Sequence, residues 1–183
     1  PPFCYNKGME KRAKTKRFYM HRIANLLNVQ KIVTIHYQEL SPGYVSEEET
    51  HDFWEVIYAD KEALFIVRDG ERTPLLQGEM VFIKPNQPHF VESGKKEPNI
   101  FIVSFECRSE SMGFFCDKKF PVPENYRYLL QNIMSEATET FVIPDFDPDL
   151  NRLELRQRPN LGGEQVIKNS LELLLVYLLR AAS

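Results

Sequence analysis

Residues 49–55, Glu-Thr-His-Asp-Phe-Trp-Glu, are the stretch from which the fold and the candidate site are predicted. Because alternate side chains of a β-strand point to the same face, the odd-numbered residues of this stretch are expected to share one face. These residues are Glu49, His51, Phe53 and Glu55. Two carboxylates and an imidazole beside apolar neighbours are typical of a small-molecule pocket.

Short apolar and aromatic runs, separated by turn residues, surround this stretch from residue 31 to residue 106. Asp69-Gly70 is a typical two-residue hairpin turn, and Pro74 after it predicts an edge strand because proline cannot donate to a ladder. Asn86 is expected to adopt the left-handed backbone conformation in the turn before His89. Several short strands at this spacing predict an antiparallel sandwich or barrel.

Helical periodicity replaces the strand pattern towards both ends of the chain. Residues 17–28 are predicted to form a helix with its apolar residues on one side, and residues 123–138 form a second amphipathic helix. Residues 164–181 form a third helix that is apolar nearly all round, and such a helix must be covered on two sides. A partner chain is expected to cover the second side of this helix. The predicted homodimer contacts are Ile167, Leu171, Leu174 and Leu178.

The stretch quoted above and the segment that ends at His89 together resemble the two sequence motifs of the cupin family. Glu49, His51 and Glu55 stand where the first motif has His, His and Glu. His89 follows Gly78 at the interval of the second motif. Glu49 departs from the motif because it is not a histidine.

A finer resemblance is to the sensor domains of AraC-type bacterial transcription regulators. It rests on residues 51–58 (HDFWEVIY), 78–89 (GEMVFIKPNQPH) and 98–107 (PNIFIVSFEC). The resemblance implies a mainly β fold, an antiparallel cupin or jelly-roll barrel followed by α-helices. It also implies a homodimer and a small-molecule effector, a sugar or a related polar metabolite. DNA would be bound only through a helix-turn-helix domain that is absent from this chain.

These patterns predict three parts in the chain. Residues 1–22 are expected to form a basic N-terminal arm, residues 23–122 the cupin barrel, and residues 123–183 a helical dimerisation segment. The arm contains seven Lys or Arg and one acidic residue, whereas the whole chain has a net charge of -3. A basic arm on an acidic body is either a solvated tail or a contact for an acidic partner.

The predicted effector pocket consists of Glu49, His51, Phe53, Glu55 and His89. Its two imidazoles and two carboxylates (Glu49, His51, Glu55, His89) also suit a divalent transition metal such as Zn, Ni, Mn or Fe. Two alternatives therefore stay open, a bound metal and a polar pocket without metal. Both require that positions 51, 55 and 89 meet inside the barrel.

Composition and motifs narrow the functional class. The chain is 43% hydrophobic and 27% charged, as is ordinary for a globular protein. Three cysteines without a CxxC pair, no signal peptide and no long apolar run predict a cytoplasmic protein without a membrane partner. The site residues come without a nucleophile or a cofactor motif, so the chain is predicted not to be an enzyme. The alternatives are a metal-dependent cupin enzyme (an isomerase or a dioxygenase) and a structural dimerisation module.

Overall fold

The computed structural model of the chain describes residues 17–144, 147 and 150–181. Eight strands come first: β1 (Val29–Glu39), β2 (Trp54–Lys61), β3 (Leu64–Arg68), β4 (Glu71–Leu75), β5 (Glu79–Ile83), β6 (His89–Glu92), β7 (Asn99–Cys107) and β8 (Lys119–Pro121). Two helices follow, α1 (Arg127–Thr140) and α2 (Gly163–Ala181), with 3-10 turns at Glu110–Phe115 and Glu124–Tyr126. Most of the predicted basic arm, residues 1–16, lies outside the described residues.

The strands form two antiparallel sheets. The larger sheet has the order β1-β7-β2-β5-β8, and the smaller one has the order β4-β3-β6. The predicted fold class is therefore confirmed: the chain is mainly antiparallel β, and its helices follow the barrel. Within the described residues, neither helix is long and apolar enough to cross a membrane.

The two faces of the larger sheet belong to different apolar cores. Along β2, Trp54, Val56 and Tyr58 point outwards and are packed in one cluster with residues of α1 and α2. Ile57 and Ala59 alternate with them and point into the barrel. The full inner cluster consists of Leu40, Ile57, Ala59, Leu64, Ile66, Leu75, Val81, Ile83, Val91 and Ile100. The helical layer and the barrel interior thus share one sheet as their common wall.

The turn residues have the backbone conformations that their residue types predict. Asp69 and Gly70 both have positive φ angles, 51° and 79°, between the paired strands β3 and β4. Two successive left-handed residues match the right-handed twist of a hairpin. Pro74 lies in β4 at the edge of the smaller sheet. Asn86 has a φ of 62° in the turn before β6.

The helix predicted for residues 17–28 is wrong. The described segment before β1 is neither helix nor strand, and only Leu27 among its apolar side chains is buried. The Ser111 hydroxyl donates to the Leu26 carbonyl at 2.9 Å, and the Asn28 amide donates to the Ser109 hydroxyl at 2.9 Å. Side chains beyond β7 therefore bind backbone groups of this segment, including the Asn28 amide, which a helix over residues 17–28 would have paired internally.

The four residues chosen as dimer contacts lie in the core of the chain itself. Ile167, Leu171, Leu174 and Leu178 are each at most 1% exposed and belong to the cluster that joins α2 with α1 and the sheet. They are therefore not available to a partner chain in this fold, which corrects their assignment. The outer side of α2 presents Val166 (40% exposed) and Leu173 (37% exposed) instead. Dimerisation itself stays a prediction.

The first residue of β1 is attached to α2 through a side chain. The Val29 amide donates a hydrogen bond of 2.8 Å to the Glu172 carboxylate. Lys168, one helical turn earlier, donates to the same carboxylate oxygen at 2.6 Å. Glu172 therefore joins the beginning of the barrel to the middle of the second helix.

Candidate functional site

Three ionisable side chains meet at one point of the barrel. The potential ligand atoms of His51, Glu55 and His89 all lie within 4.8 Å of one another. The side chains of His51 and Glu55 are each 11% exposed, and that of His89 is 4% exposed. The predicted meeting of positions 51, 55 and 89 is thus what the structure shows.

Strand pairing fixes the position of Glu55. It lies on β2 opposite Ser104 of β7 and Ile83 of β5, on the face that continues into Ile57. The predicted strand from residue 50 begins only at Trp54, so Glu55 is the first inward-pointing residue of β2. The strand assignment is therefore correct from Trp54 onwards and wrong for residues 50–53, although His51 still meets Glu55.

The two histidines are held by backbone carbonyls. His51 Nδ1 lies 3.0 Å from the Phe53 carbonyl oxygen, and His89 Nδ1 lies 2.9 Å from the Gln87 carbonyl oxygen. A carbonyl oxygen only accepts hydrogen bonds, so each Nδ1 is the donor and bears the proton. The Phe53 ring also stacks on His51 at 4.0 Å between centroids. Both Nε2 atoms are thereby directed towards Glu55.

Glu55 accepts hydrogen bonds from two sides. Ser104 Oγ donates to Oε2 at 2.8 Å, and Thr34 Oγ1 donates to Ser104 Oγ at 3.0 Å. His89 Nε2 lies 3.3 Å from Oε1. Burial disfavours the ionised carboxyl, but the hydrogen bond and charge of His89 outweigh it and hold the pKa of Glu55 below its ordinary value.

The two histidines differ in their protonation. Burial alone would lower the pKa of His89, but its hydrogen bond to Glu55 and the charge of that carboxylate raise the pKa above the ordinary value. Burial lowers the pKa of His51, and the opposing charge of Glu55 does not reverse the shift. His51 Nε2 is buried and has no hydrogen-bond partner among the described residues. These shifts favour a protonated His89 that pairs with Glu55 and a neutral His51.

Glu49 and Phe53, the other two predicted pocket residues, have different positions. Glu49 is exposed, and its carboxylate is not among the converging atoms. It forms a pair of backbone hydrogen bonds with His89, of 2.9 and 3.0 Å, and its charge helps to raise the pKa of that histidine. The prediction that Glu49 is a fourth ligand is therefore corrected, because its carboxylate lies outside the converging atoms. Phe53 is half-buried and lies against His51, where it forms part of the wall.

Sequence reasoning missed several polar residues beside the cluster. Thr34 and Ser104 are both buried and complete the hydrogen bonding of Glu55. His36 lies on β1 two residues from Thr34 and is half-buried. Burial lowers its pKa against the opposing charge of Glu55. The alternation of β1 places Thr34 and His36 on one face. The sequence did not indicate that this face lies beside Glu55 of β2.

Two antiparallel sheets that enclose an apolar interior, with a histidine–glutamate cluster inside, define the cupin class of β-barrel proteins. Within that class, the family model of the AraC-like ligand binding domain matches residues 33–136. The match covers more than half of the chain and includes all three clustered residues. The chain therefore belongs to the AraC-like ligand binding domain family.

Solved structures with a similar fold are distant in sequence. A cupin protein from Bacteroides fragilis is 16% identical, with a TM-score of 0.40 over 52% of this chain and 89% of that chain. A Cupin 2 conserved barrel domain protein from Salinispora arenicola is 20% identical, with a TM-score of 0.37 over 50% and 90%. A predicted oxalate decarboxylase from Thermotoga maritima is 18% identical, with a TM-score of 0.39 over 42% and 67%. No curated protein matches the chain in sequence.

Proposed function

We propose that this chain is the small-molecule-sensing and dimerisation domain of an AraC-type transcription regulator, and that it binds its effector at the His51–Glu55–His89 cluster. The effector is a sugar or a related polar metabolite. The observation on which this proposal depends is the convergence of three ionisable groups inside an apolar barrel, where an unmatched polar group is costly. The chain is a homodimeric receptor and not an enzyme, and it reaches DNA only through a separate helix-turn-helix domain.

Thermal shift against a panel of sugars and related metabolites tests the receptor proposal. A ligand at one hundred times its Kd stabilises the folded state by about 2.7 kcal/mol, so the Tm should rise by several degrees. Replacing both histidines (His51→Ala with His89→Ala) should abolish the rise. Glu48→Gln, which changes an exposed carboxylate outside the cluster, should leave the rise intact. If the ligand still raises the Tm of the double variant, the effector binds elsewhere in the chain.

The same three residues also fit a divalent metal, which is the second candidate occupant. Each histidine is oriented by an Nδ1 hydrogen bond to a carbonyl, as metal-binding histidines usually are. Two imidazole nitrogens and a carboxylate oxygen form a donor set suited to Zn or Ni. A metal held there would supply Lewis acidity, and the chain would then be a metal-dependent cupin enzyme, an isomerase or a dioxygenase.

Elemental analysis after dialysis against Ni²⁺ or Zn²⁺ tests the metal candidate. The expected result is about one equivalent of metal for the wild-type chain, lost in the variant that combines His51→Ala with His89→Ala. Glu48→Gln should retain the metal because the Glu48 carboxylate is exposed and lies outside the converging atoms. Equal metal content in the wild type and the double variant would eliminate the candidate. Turnover of a substrate by the loaded chain would favour the enzyme over the receptor.

A further inference from the structure

One arginine side chain points into the barrel beside the cluster. Arg68, the last residue of β3, pairs directly with His89, the first residue of β6. Because directly opposite residues of antiparallel strands project from the same face, the Arg68 side chain points to the same side as His89. The alternation of β3 gives the same direction, since Leu64 and Ile66 belong to the inner apolar cluster. A guanidinium therefore lies at the end of the barrel that contains the cluster.

This guanidinium has a hydrogen-bond donor without an acceptor. Arg68 is half-buried as a residue, and its Nη1 atom is fully buried. Nη1 has no hydrogen-bond partner within the described ranges of the chain. Buried polar groups in folded proteins are nearly always hydrogen-bonded, so this donor calls for a specific explanation.

Two acidic side chains near Arg68 are bound to other donors. The hydrogen bond from Lys84 lowers the pKa of Asp117 most, and the charge of Arg68 lowers it further. Both carboxylate oxygens of Asp117 accept from Lys84 Nζ, at 3.1 Å each. Asp69, the next residue in the chain, accepts from Gln87 Nε2 at 2.7 Å. In the part of the chain that the structure describes, neither carboxylate forms an ion pair with Arg68.

The same hairpin contains a second arginine whose guanidinium is fully engaged. Arg72 Nε donates to the Glu92 carboxylate at 2.6 Å, and its guanidinium lies 3.3 Å from the centroid of the Phe65 ring. Arg72 is exposed and lies on β4 opposite Val67, on the outer face of the smaller sheet. The unpaired donor is therefore a feature of the inward-pointing arginine and not of the hairpin.

An anionic group of a ligand is the partner that such a donor favours. A guanidinium is planar and binds a carboxylate or a phosphate through two parallel hydrogen bonds. It cannot lose its proton in a protein, so its charge does not depend on what the cluster contains. The Cβ atoms of opposite residues are about 4.5–5.5 Å apart, so one molecule of sugar size can contact both Arg68 and the cluster.

We infer that Arg68 binds an anionic group of the effector, a carboxylate or a phosphate, while the rest of the molecule contacts the His51–Glu55–His89 cluster. The inference rests on the proposed function, because it specifies the ligand of the same barrel. It narrows the effector class from polar metabolites in general to acidic ones, such as sugar acids and sugar phosphates.

Three probes that share one ring test this selectivity: glucose, glucuronate and glucose 6-phosphate. In calorimetric titrations, we expect at least one of the two acids to bind about tenfold or more tightly than glucose, because charge-assisted hydrogen bonds are the strong ones. The tighter of the two acids identifies the anionic group as a carboxylate or a phosphate. Arg68→Met keeps an unbranched apolar stem but removes the guanidinium, and it should lose the preference for the acid.

Arg72→Met is the matched control, because it removes the same charge from the outer face of the same hairpin. This variant should preserve the preference. Arg68→Lys keeps the charge but not the planar fork, and it should retain part of the preference. If Arg68→Met folds poorly, the guanidinium ¹⁵N resonances of Arg68 in the wild-type chain provide the test. They should shift when the acid is added and stay in place when glucose is added.

Three results would overturn the inference and leave the receptor proposal standing. These are glucose binding as tightly as both acids, a preference for an acid that survives Arg68→Met, and an acid that binds without a shift at Arg68. If a different metabolite of the wider panel binds instead, it is compared with its acidic or neutral counterpart in the same way. Failure of all three probes and of the whole panel to bind would overturn both.

Discussion

Leu174→Asp is expected to abolish the cooperative unfolding transition of the chain. Leu174 is fully buried in the cluster that joins α2 to α1 and the outer face of the sheet. Removing a buried leucine costs about 2–5 kcal/mol, and a carboxylate in the same place adds a desolvation penalty of several kcal/mol. The sum is comparable to the total stability of a typical domain, about 5–15 kcal/mol. Circular dichroism during a urea titration measures the loss.

Leu173→Asp is the matched control, because it introduces the same charge one residue earlier at a position that is 37% exposed. We expect its urea midpoint to stay close to that of the wild type, with a change of about 0.5 kcal/mol or less. If the outer side of α2 contacts a second copy, Leu173→Asp halves the mass in solution while the fold persists. Equal stability of the two variants would show that Leu174 does not lie in the core.

Gly163→Ala is the second substitution from which we expect a large loss of stability. Gly163 is the first residue of α2, and a Cβ atom there would lie 1.9 Å from Thr140 Oγ1 at the end of α1. Alanine is a better helix former than glycine, so helix propensity alone would predict stabilisation. The overlap reverses that sign, because overpacking costs about 1–3 kcal/mol or more when the neighbour cannot move. Thermal unfolding, followed by circular dichroism, measures the effect.

Two further variants identify the overlap as the cause. Thr140→Ala removes the Oγ1 atom, which is buried and has no hydrogen-bond partner in the described part of the chain, and it should restore much of the stability of Gly163→Ala. Restoration should be incomplete, because the Thr140 Cβ would still lie 3.1 Å from the new Cβ. Gly113→Ala is the neutral control, since its added Cβ would meet nothing within 4 Å. Gly163→Ala with wild-type stability would rule out the close approach of α1 and α2.

Local sequence predicted the barrel well because its strands end at residues with strong conformational preferences. Asp69, Gly70 and Asn86 all adopt the left-handed backbone that their residue types favour. The strands between such turns have little freedom to shift. β8 was not predicted, because it is three residues long and depends on pairing with β5.

The sequence identified the clustered residues of the candidate site better than the hydrogen bonds that support them. The interval between residues 51, 55 and 89 identified the three side chains that meet. Extending the strand back to residue 50 placed Glu49 with them, but the chain turns before Trp54 and the Glu49 carboxylate lies elsewhere. Ser104 was missed because its contact with Glu55 spans 49 residues of sequence. The register between β2 and β7 determines that contact, and a single strand does not encode its register.

The helices show what the periodicity of apolar residues does not determine. The apolar surface of α2 predicted that two sides must be covered, but periodicity does not say which side belongs to the chain itself. Leu174 and Leu178 pack within the chain, whereas Leu173 does not. Residues 17–28 have helical spacing, but the hydroxyls of Ser109 and Ser111 bind their backbone instead. Tertiary contacts outweighed the local preference in residues 17–28.

β1 is hydrogen-bonded both to the surroundings of the cluster and to the helical layer. Thr34, near its middle, is hydrogen-bonded to the serine that supports Glu55, and Val29, at its beginning, is held by Glu172 of α2. At about 3.3 Å per residue, these two anchor points are at most about 16 Å apart. The pairing of β1 with β7 is irregular between Val29 and Lys31 and between Ile32 and Thr34, so this part of the strand is bent and not straight. Both attachments therefore depend on the position of the same short segment of β1 against β7.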